Sequence, residues 1–431
     1  MKKYVIIPNC SDLNRGDQAL VWETKRLAED AGFKGDFYVT VEDHEPIIQS
    51  EIFGLIPISL VLKHPSRFFK NNDNITYSLF IKVKWGVVAF FDFIYSLLLL
   101  CPVLNVLVYP FLPISIRKSI DVLKDADAIF IKGGGFVHFY GGMTSSYYAY
   151  FSLYHIFFCA SLKKDIYFLP NSMGPYEGFA VKWMVRKALN LCKFVSVRES
   201  LSKNMLRSEL GIEAPVFPDL ALYLPNSRMT KNEIFSRYSI PIDRPLVAIT
   251  MRPHRFPKSR TPKEDYLNFK KEMSKFVECL YSKGYMPMLV SHTLAINTNE
   301  NDKICIDEVV KYVNPKHYVL FSDETLNCQE LKSVYSICDY IVGTRFHSVI
   351  FSFANNVPGL AITYTGNKAQ GIMKDFGLDS YSICIDDVTA DDLINKFDML
   401  VENKQQILMK IEAYLSAARE KRNTLINTIK R

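Results

Sequence analysis

The sequence predicts an α/β protein built from two doubly wound, parallel-sheet domains facing a cleft, followed by a long C-terminal helical segment. Short β-branched or aromatic runs alternate with amphipathic stretches along most of the chain. The alternation breaks once near the middle, and 431 residues suffice for two or three cores. With 48% hydrophobic and 23% charged residues, the disordered, collagen-like and small disulfide-scaffold classes are excluded.

In the first half, strands are expected at residues 4–7, 36–41, 128–131, 166–169, 194–197 and 216–217, with helices at 17–31, 146–161, 179–191 and 200–210. Pro, Asn and charged residues interrupt the pattern over 225–245, the predicted linker, so the domains are expected to be 1–224 and 246–431. The second half repeats the alternation, with strands at 246–250, 286–291, 318–321, 340–342, 360–363 and 381–385 and helices such as 264–282 and 330–337. Beyond residue 389 the chain is helical and charged on one face. Ligands of such sheets bind beyond the carboxyl ends of the strands, here expected in the cleft between the two domains.

The net charge of +7 favours anionic metabolites or an anionic lipid surface, and no basic arm points to nucleic acid. Nine cysteines without a C-x-x-C pair suggest neither a zinc module nor a disulfide framework and fit a reducing cytoplasm. The first apolar run stops at Pro8 with no small-residue cleavage site, so it reads as a strand rather than a signal peptide. Residues 85–116 are different: Asp92 is their only formal charge. Symmetric basic flanks (Lys82, Lys84, Arg117, Lys118) and Pro102, Pro110 and Pro113 argue against a simple membrane span. Two readings stand, a hairpin or in-plane helix dipping into a membrane leaflet, and an apolar helix pair buried in the protein or in a homo-oligomer.

Four strand ends carry chemistry. Asn14, Gly16 and Asp17 follow the first strand, where Asp17 is a natural helix N-cap and the turn presents N–H groups to an anion; by spacing, capping alone is the stronger account of them. Lys132 precedes Gly133, Gly134 and Gly135, which admit a ligand close to the backbone but form no G-x-G-x-x-G fingerprint or P-loop. The D-x-D at Asp125 and Asp127 is a solvated strand entry, and no metal is expected. Arg198 is expected to project from a strand end to grip a carboxylate or phosphate, with a surface ion pair to Glu199 as the alternative; Arg252 and His254 are placed similarly. The strongest signal is Gly343 to Ser348 (GTRFHS), where one strand end delivers the Arg345 guanidinium, the His347 imidazole and a helix N-terminus, the parts needed to bind an anion and move a proton beside it. Lys368 adds a cation at the same sheet edge.

Taken together, N-x-G-D at 14–17, the glycine run, Ser172-Met173-Gly174-Pro175, Val197-Arg198-Glu199 with Ser202, Pro218-Asp219, Gly343 to His347, Val357-Pro358 and Tyr364 with Lys368 resemble the polysaccharide pyruvyl transferase family over residues 5–376. The resemblance implies two Rossmann-like domains arranged as in GT-B glycosyltransferases, the first on the acceptor side and the second on the donor side. It also implies transfer of pyruvate from phosphoenolpyruvate to two hydroxyls of a lipid-linked or nucleotide-linked sugar, with no cofactor. On this reading His347 is the acid, with Arg345 and Asp17 as further catalytic residues. Arg198, Arg252, Lys132, Ser348 and Lys368 hold the donor. Asn14, Gly16, Gly133, Gly134 and Gly135 face the acceptor. The expected location is the cytoplasm, at the inner face of the membrane. A glycosyltransferase using a nucleotide sugar and a non-catalytic component of polysaccharide assembly are the rival readings.

Overall fold

The computed structural model describes residues 1–42, 45–65, 79–142, 144–241, 243–295, 300–364 and 367–430. The chain forms two α/β units. The first comprises Met1–Asp12, Leu20–Leu220 and Lys421–Arg431, and the second Leu13–Ala19 and Ala221–Glu420. Two corrections to the expected domains follow. Residues 13–19 fold with the second unit, and the end of the C-terminal helix Lys404–Ile429 folds with the first. The expected linker is part of the second unit, where Thr230 and Glu233 form a reciprocal capping box that starts the helix Lys231–Tyr238.

In the first unit the strands are β1 (Lys3–Ile7), β2 (Asp36–Val41), β3 (Leu55–Ser59), β4 (Ala128–Ile131), β5 (Gly134–Tyr140), β6 (Ile166–Glu177) and β7 (Phe194–Val197). They form one parallel sheet in the order β3-β2-β1-β4-β6, with β5 continuing along β6 and β7 pairing with β6 as well. β3 and β5 were not expected, because Pro57 and the glycines at 134 and 135 weaken a strand pattern. The expected strand at 216–217 is only a bridge from Val216 to Val197.

The second unit holds β8 (Leu246–Thr250), β9 (Met286–Val290), β10 (Val319–Phe321), β11 (Tyr340–Gly343), β12 (Gly359–Thr363) and β13 (Ser382–Cys384). Their parallel order is β10-β9-β8-β11-β12-β13. Every residue of β8, β9 and β12 is buried, as a sheet covered on both faces requires. In both sheets the strand order reverses beside the first strand, between β1 and β4 and between β8 and β11. Those switch points leave crevices at the carboxyl ends, the places where such sheets bind ligands.

Within the apolar segment, two helices form, Leu79–Leu100 and Pro102–Val108. The first is long and apolar enough to cross a membrane by length and composition. Ala89, Asp92, Ser96 and Leu99 make its single buried stripe. The prolines act as punctuation: Pro102 opens the second helix, Pro110 lies in a 3-10 turn and Pro113 caps the next helix, Ile114–Asp125.

Candidate functional site

The switch point of the second sheet carries the His347 loop. β11 ends at Gly343, Arg345 takes the N-cap position, and the helix Phe346–Phe353 follows, so His347 lies in its first turn. Thr250, at the end of the neighbouring β8, fixes this turn. Its carbonyl accepts the Thr344 N–H at 3.1 Å and the Thr344 hydroxyl at 3.0 Å, and its hydroxyl accepts the Arg345 N–H at 3.3 Å. Ser348 donates its hydroxyl to the Arg345 carbonyl at 2.6 Å and lies 2.9 Å from the Thr250 hydroxyl. Fully buried, Ser348 holds the loop together and is not open to a donor substrate, which corrects its expected role.

Arg345 also differs from expectation. Its Nε donates to Asp302 Oδ1 at 2.7 Å, Nη1 to Glu300 Oε2 at 2.8 Å and Nη2 to the Glu300 carbonyl at 2.8 Å. The guanidinium is therefore committed to two carboxylates and positions the loop instead of waiting for an anion. Asp302, fully buried, also accepts the N–H groups of His292 (3.1 Å) and Thr293 (2.9 Å). Burial pushes the Asp302 carboxyl up, against the pull of Arg345. Burial also works to raise Glu300, yet Arg345 and Arg252 bring that carboxyl below its ordinary value. Arg252 reaches Glu300 Oε1 at 2.9 Å and lies 4.5 Å from the centre of the Tyr364 ring. Glu300 and Asp302 were missed because nothing near them in sequence marks them as partners of residue 345. The side chain of Lys368 lies outside the described residues.

A third strand-end element joins the same unit. Asn14 caps the helix Arg15–Asp30: its Oδ1 accepts the Asp17 N–H at 3.2 Å while its Nδ2 donates to the Asp17 carboxylate at 2.7 Å. The cap is thus Asn14, with Asp17 at the third helical position, a correction to the expectation that Asp17 caps. Arg15, also unmarked by the sequence reading, is fully buried and donates to the carbonyls of Leu13 (3.0 Å), Asp323 (2.8 Å) and Leu326 (3.2 Å). Gln18 accepts the Cys328 N–H at 2.7 Å, and Leu13 accepts that of Leu294 at 2.9 Å. So anchored, Gly16 packs on His347. A methyl group at Gly16 would come within 2.7 Å of His347 Cγ and 2.9 Å of its Cβ, and closer still to Nδ1. The N-x-G-D turn and the R-x-H turn, 331 residues apart (347 − 16), pack together where Gly16 and His347 meet.

The sequence pattern of the polysaccharide pyruvyl transferases matches residues 14–366, a span that takes in both Gly16 and His347. The chain belongs to the polysaccharide pyruvyl transferase family. Among its relatives, the amylovoran biosynthesis protein AmsJ of Erwinia amylovora is 25% identical over 308 residues, 69% of this chain and 71% of that protein. In fold it is similar to Anabaena HepE, solved with UDP and glucose, at TM-score 0.55 and 10% identity, covering all of this chain and 98% of that one. The UDP-GlcNAc 2-epimerase of Neisseria meningitidis gives TM-score 0.53 at 12% identity over 95% of this chain and 94% of that one. These likenesses show the GT-B-like fold.

In this pyruvyl transferase family member, the first unit carries its own polar cluster. Arg198 follows β7 but is fully buried, donating to Asp219 Oδ2 and to Ser172 Oγ at 2.6 Å each, with Glu199 at 3.8 Å. Ser172 in turn donates to Glu199 at 2.8 Å, and Ser202 bonds the same carboxylate. The expected projecting cation is instead the centre of an internal net that ties the end of β7 to the middle of β6, which removes it from direct contact with a donor. Lys132 is buried as well, its N–H bonded to the Ile7 carbonyl at 2.7 Å across the switch point. Gly133 passes so close to β6 that a Cβ would lie 3.0 Å from the Pro170 carbonyl, and Gly134, at φ +152°, adopts backbone that other residues rarely take. Gly135, like Gly134, lies in β5. Beside them a cavity of about 110 Å³ is lined by Asn9, Glu42, Phe136, Phe151, Ser152 and His155 among others. Burial depresses the His155 pKa to about 4, and its Nε2 accepts the Val61 N–H at 3.2 Å, so the ring is neutral.

Proposed function

We propose that this protein transfers pyruvate from phosphoenolpyruvate to two hydroxyls of a sugar in a lipid-linked or nucleotide-linked polysaccharide precursor, in the cytoplasm. The observation that carries the reading is the contact of Gly16 with His347, which brings the turn that carries Asp17 against the imidazole at a helix N-terminus in the second unit. His347 gives a proton to the methylene carbon of the donor, which becomes the methyl group. A sugar hydroxyl attacks C2 and forms a C–O bond. The C2–O bond to phosphate breaks with the electron pair going to phosphate, and a second hydroxyl closes the ketal. Two protons leave the hydroxyls; one restores His347 and the other departs on hydrogen phosphate.

Arg252 is the cation best suited to the donor. Its partner Glu300 is half exposed, so a phosphate or carboxylate can take that place on the guanidinium while Tyr364 holds the guanidinium flat. The first turn of helix Phe346–Phe353 offers N–H groups to the same anion. Arg345, held by Asp302 and Glu300, keeps the turn that carries His347 in place, and Asp17 takes one hydroxyl proton and passes it to the departing phosphate.

Phosphate release from phosphoenolpyruvate is the test, measured with a panel of lipid-linked and nucleotide-linked sugars. Release is expected only with an acceptor, and His347→Ala is expected to lower it by roughly 10²–10⁴-fold with donor binding largely kept. Nucleotide-sugar turnover without any need for phosphoenolpyruvate would replace this reading with a glycosyltransferase.

A further inference from the structure

The first unit exposes an apolar surface that its own fold leaves uncovered. On the helix Leu79–Leu100 the outward side chains include Phe80 (67% exposed), Phe90 (60%) and Phe91 (65%), and on Pro102–Val108 they include Val106 (72%). Phe111, 87% exposed, extends the patch. Soluble proteins seldom expose so continuous an apolar face without a partner for it.

The opposite face of the long helix is pinned to the unit. Ser96 Oγ lies 2.8 Å from the Tyr150 hydroxyl, Tyr95 donates to the Val61 carbonyl at 2.7 Å, and Asp92 is buried at 5% exposure. A membrane-spanning orientation would break these bonds and carry Asp92 into hydrocarbon. Lying flat, the helix offers about 24 Å of charge-free outer face from Trp85 to Leu100 and keeps them all.

Charge identifies the occupant. Lys82 and Lys84 are exposed at one end of the patch and Lys118 at the other, while Asp92 is the only acid between residues 79 and 120 and faces inward. A second copy of this surface would bring further cations and, among the described residues at the patch, only the Asp121 carboxylate that Tyr109 already holds. Anionic lipid headgroups around an apolar interior answer both features. We infer that the first unit docks on an anionic lipid bilayer through the outer face of helices Leu79–Leu100 and Pro102–Val108, lying in the plane of the interface. Trp85 stands at the margin, with its ring 5.4 Å from Tyr147 and 6.2 Å from His64. His64 is in turn 5.2 Å from Phe151, which lines the cavity at the switch point. An acceptor held in the bilayer would meet that aromatic path first. The docking itself does not depend on the donor chemistry.

Flotation of the full-length protein on density gradients, with vesicles of phosphatidylcholine alone or mixed with phosphatidylglycerol, tests this and separates binding from aggregation, since aggregates do not float. The protein is expected to float with the mixed vesicles and to be released by salt. Phe90→Asp with Phe91→Asp, and separately Val106→Asp, are expected to lower the bound fraction about tenfold or more at unchanged circular dichroism. Lys82→Glu with Lys84→Glu is expected to lower it on mixed vesicles only. Failure of the wild type to float overturns the inference, as does unchanged flotation of both sets of aspartate variants. A dimer that these variants dissociate, without vesicle binding, assigns the face to a second copy instead. Resistance to alkaline extraction from cell membranes would refute the in-plane arrangement.

Discussion

Gly16→Ala separates geometry from stability at the His347 site. A methyl group there would sit 2.7 Å from His347 Cγ, whereas carbon atoms pack at about 3.5–4.0 Å, so ring and helix must part by roughly 1 Å. Overpacking of this kind costs about 1–3 kcal/mol. Against it stands the better helix propensity of Ala over Gly, worth up to about 1 kcal/mol in the helix Arg15–Asp30. The net loss of stability is therefore about 0–3 kcal/mol, a shift of a few degrees in a chain of this size. Catalysis is far more sensitive, because displacing a reacting group by 1 Å costs about 10²-fold. The variant should melt close to the wild type in differential scanning calorimetry and release phosphate from phosphoenolpyruvate about a hundredfold more slowly. Turnover within twofold of wild type would refute the proposed role of the imidazole that Gly16 packs against. A collapse of folding with no soluble protein would refute the energetic reasoning.

Two further outcomes follow from the buried charges. Arg345→Ala leaves Asp302 ionisable and buried without its cation, and should cost about 3–5 kcal/mol in urea denaturation. Arg345→Lys should recover little, because an ammonium cannot reproduce three bonds to Asp302, Glu300 and the Glu300 carbonyl; full recovery would mean that charge alone matters. His155 supplies a pH signature. Its folded pKa, about 4, lies below the ordinary 6.5, so the unfolded chain takes up a proton first as pH falls. Its contribution to stability is complete above pH 6.5 and is lost on the way down to about 4, a change of about 3 kcal/mol at 1.36 kcal/mol per unit. His155→Gln should flatten that part of the stability profile, and an unaltered profile would mean that the ring titrates in the fold as it does in the unfolded chain.

The strands of both sheets were legible as short apolar runs because buried parallel strands need little beyond local β-branched and aromatic character. β3 and β5 were not, since Pro57, Gly134 and Gly135 hide a strand whose place is secured by its neighbours. Legibility at the site divides the same way. The Gly343 to Ser348 turn was readable as a strand end that delivers a cation and an imidazole. The actual state of that cation was not, because Glu300 and Asp302 reach it from 45 and 43 residues away. Arg198 was misread for the same reason, since Ser172 approaches it from within β6 and Asp219 from the loop after the Val216 bridge.

By itself, the sequence determined the two-sheet α/β class, the strand-end positions of the polar motifs and the apolar character of residues 85–116, because each is written in side chains that are near one another along the chain. Only the tertiary structure decided that residues 13–19 fold with the second unit, that Gly16 meets His347, that Arg345 and Arg198 are spent on carboxylates, and which face of the apolar helix stays bare. A buried charge takes whichever partner the topology brings within hydrogen-bonding distance, and that choice has no local signature in the chain.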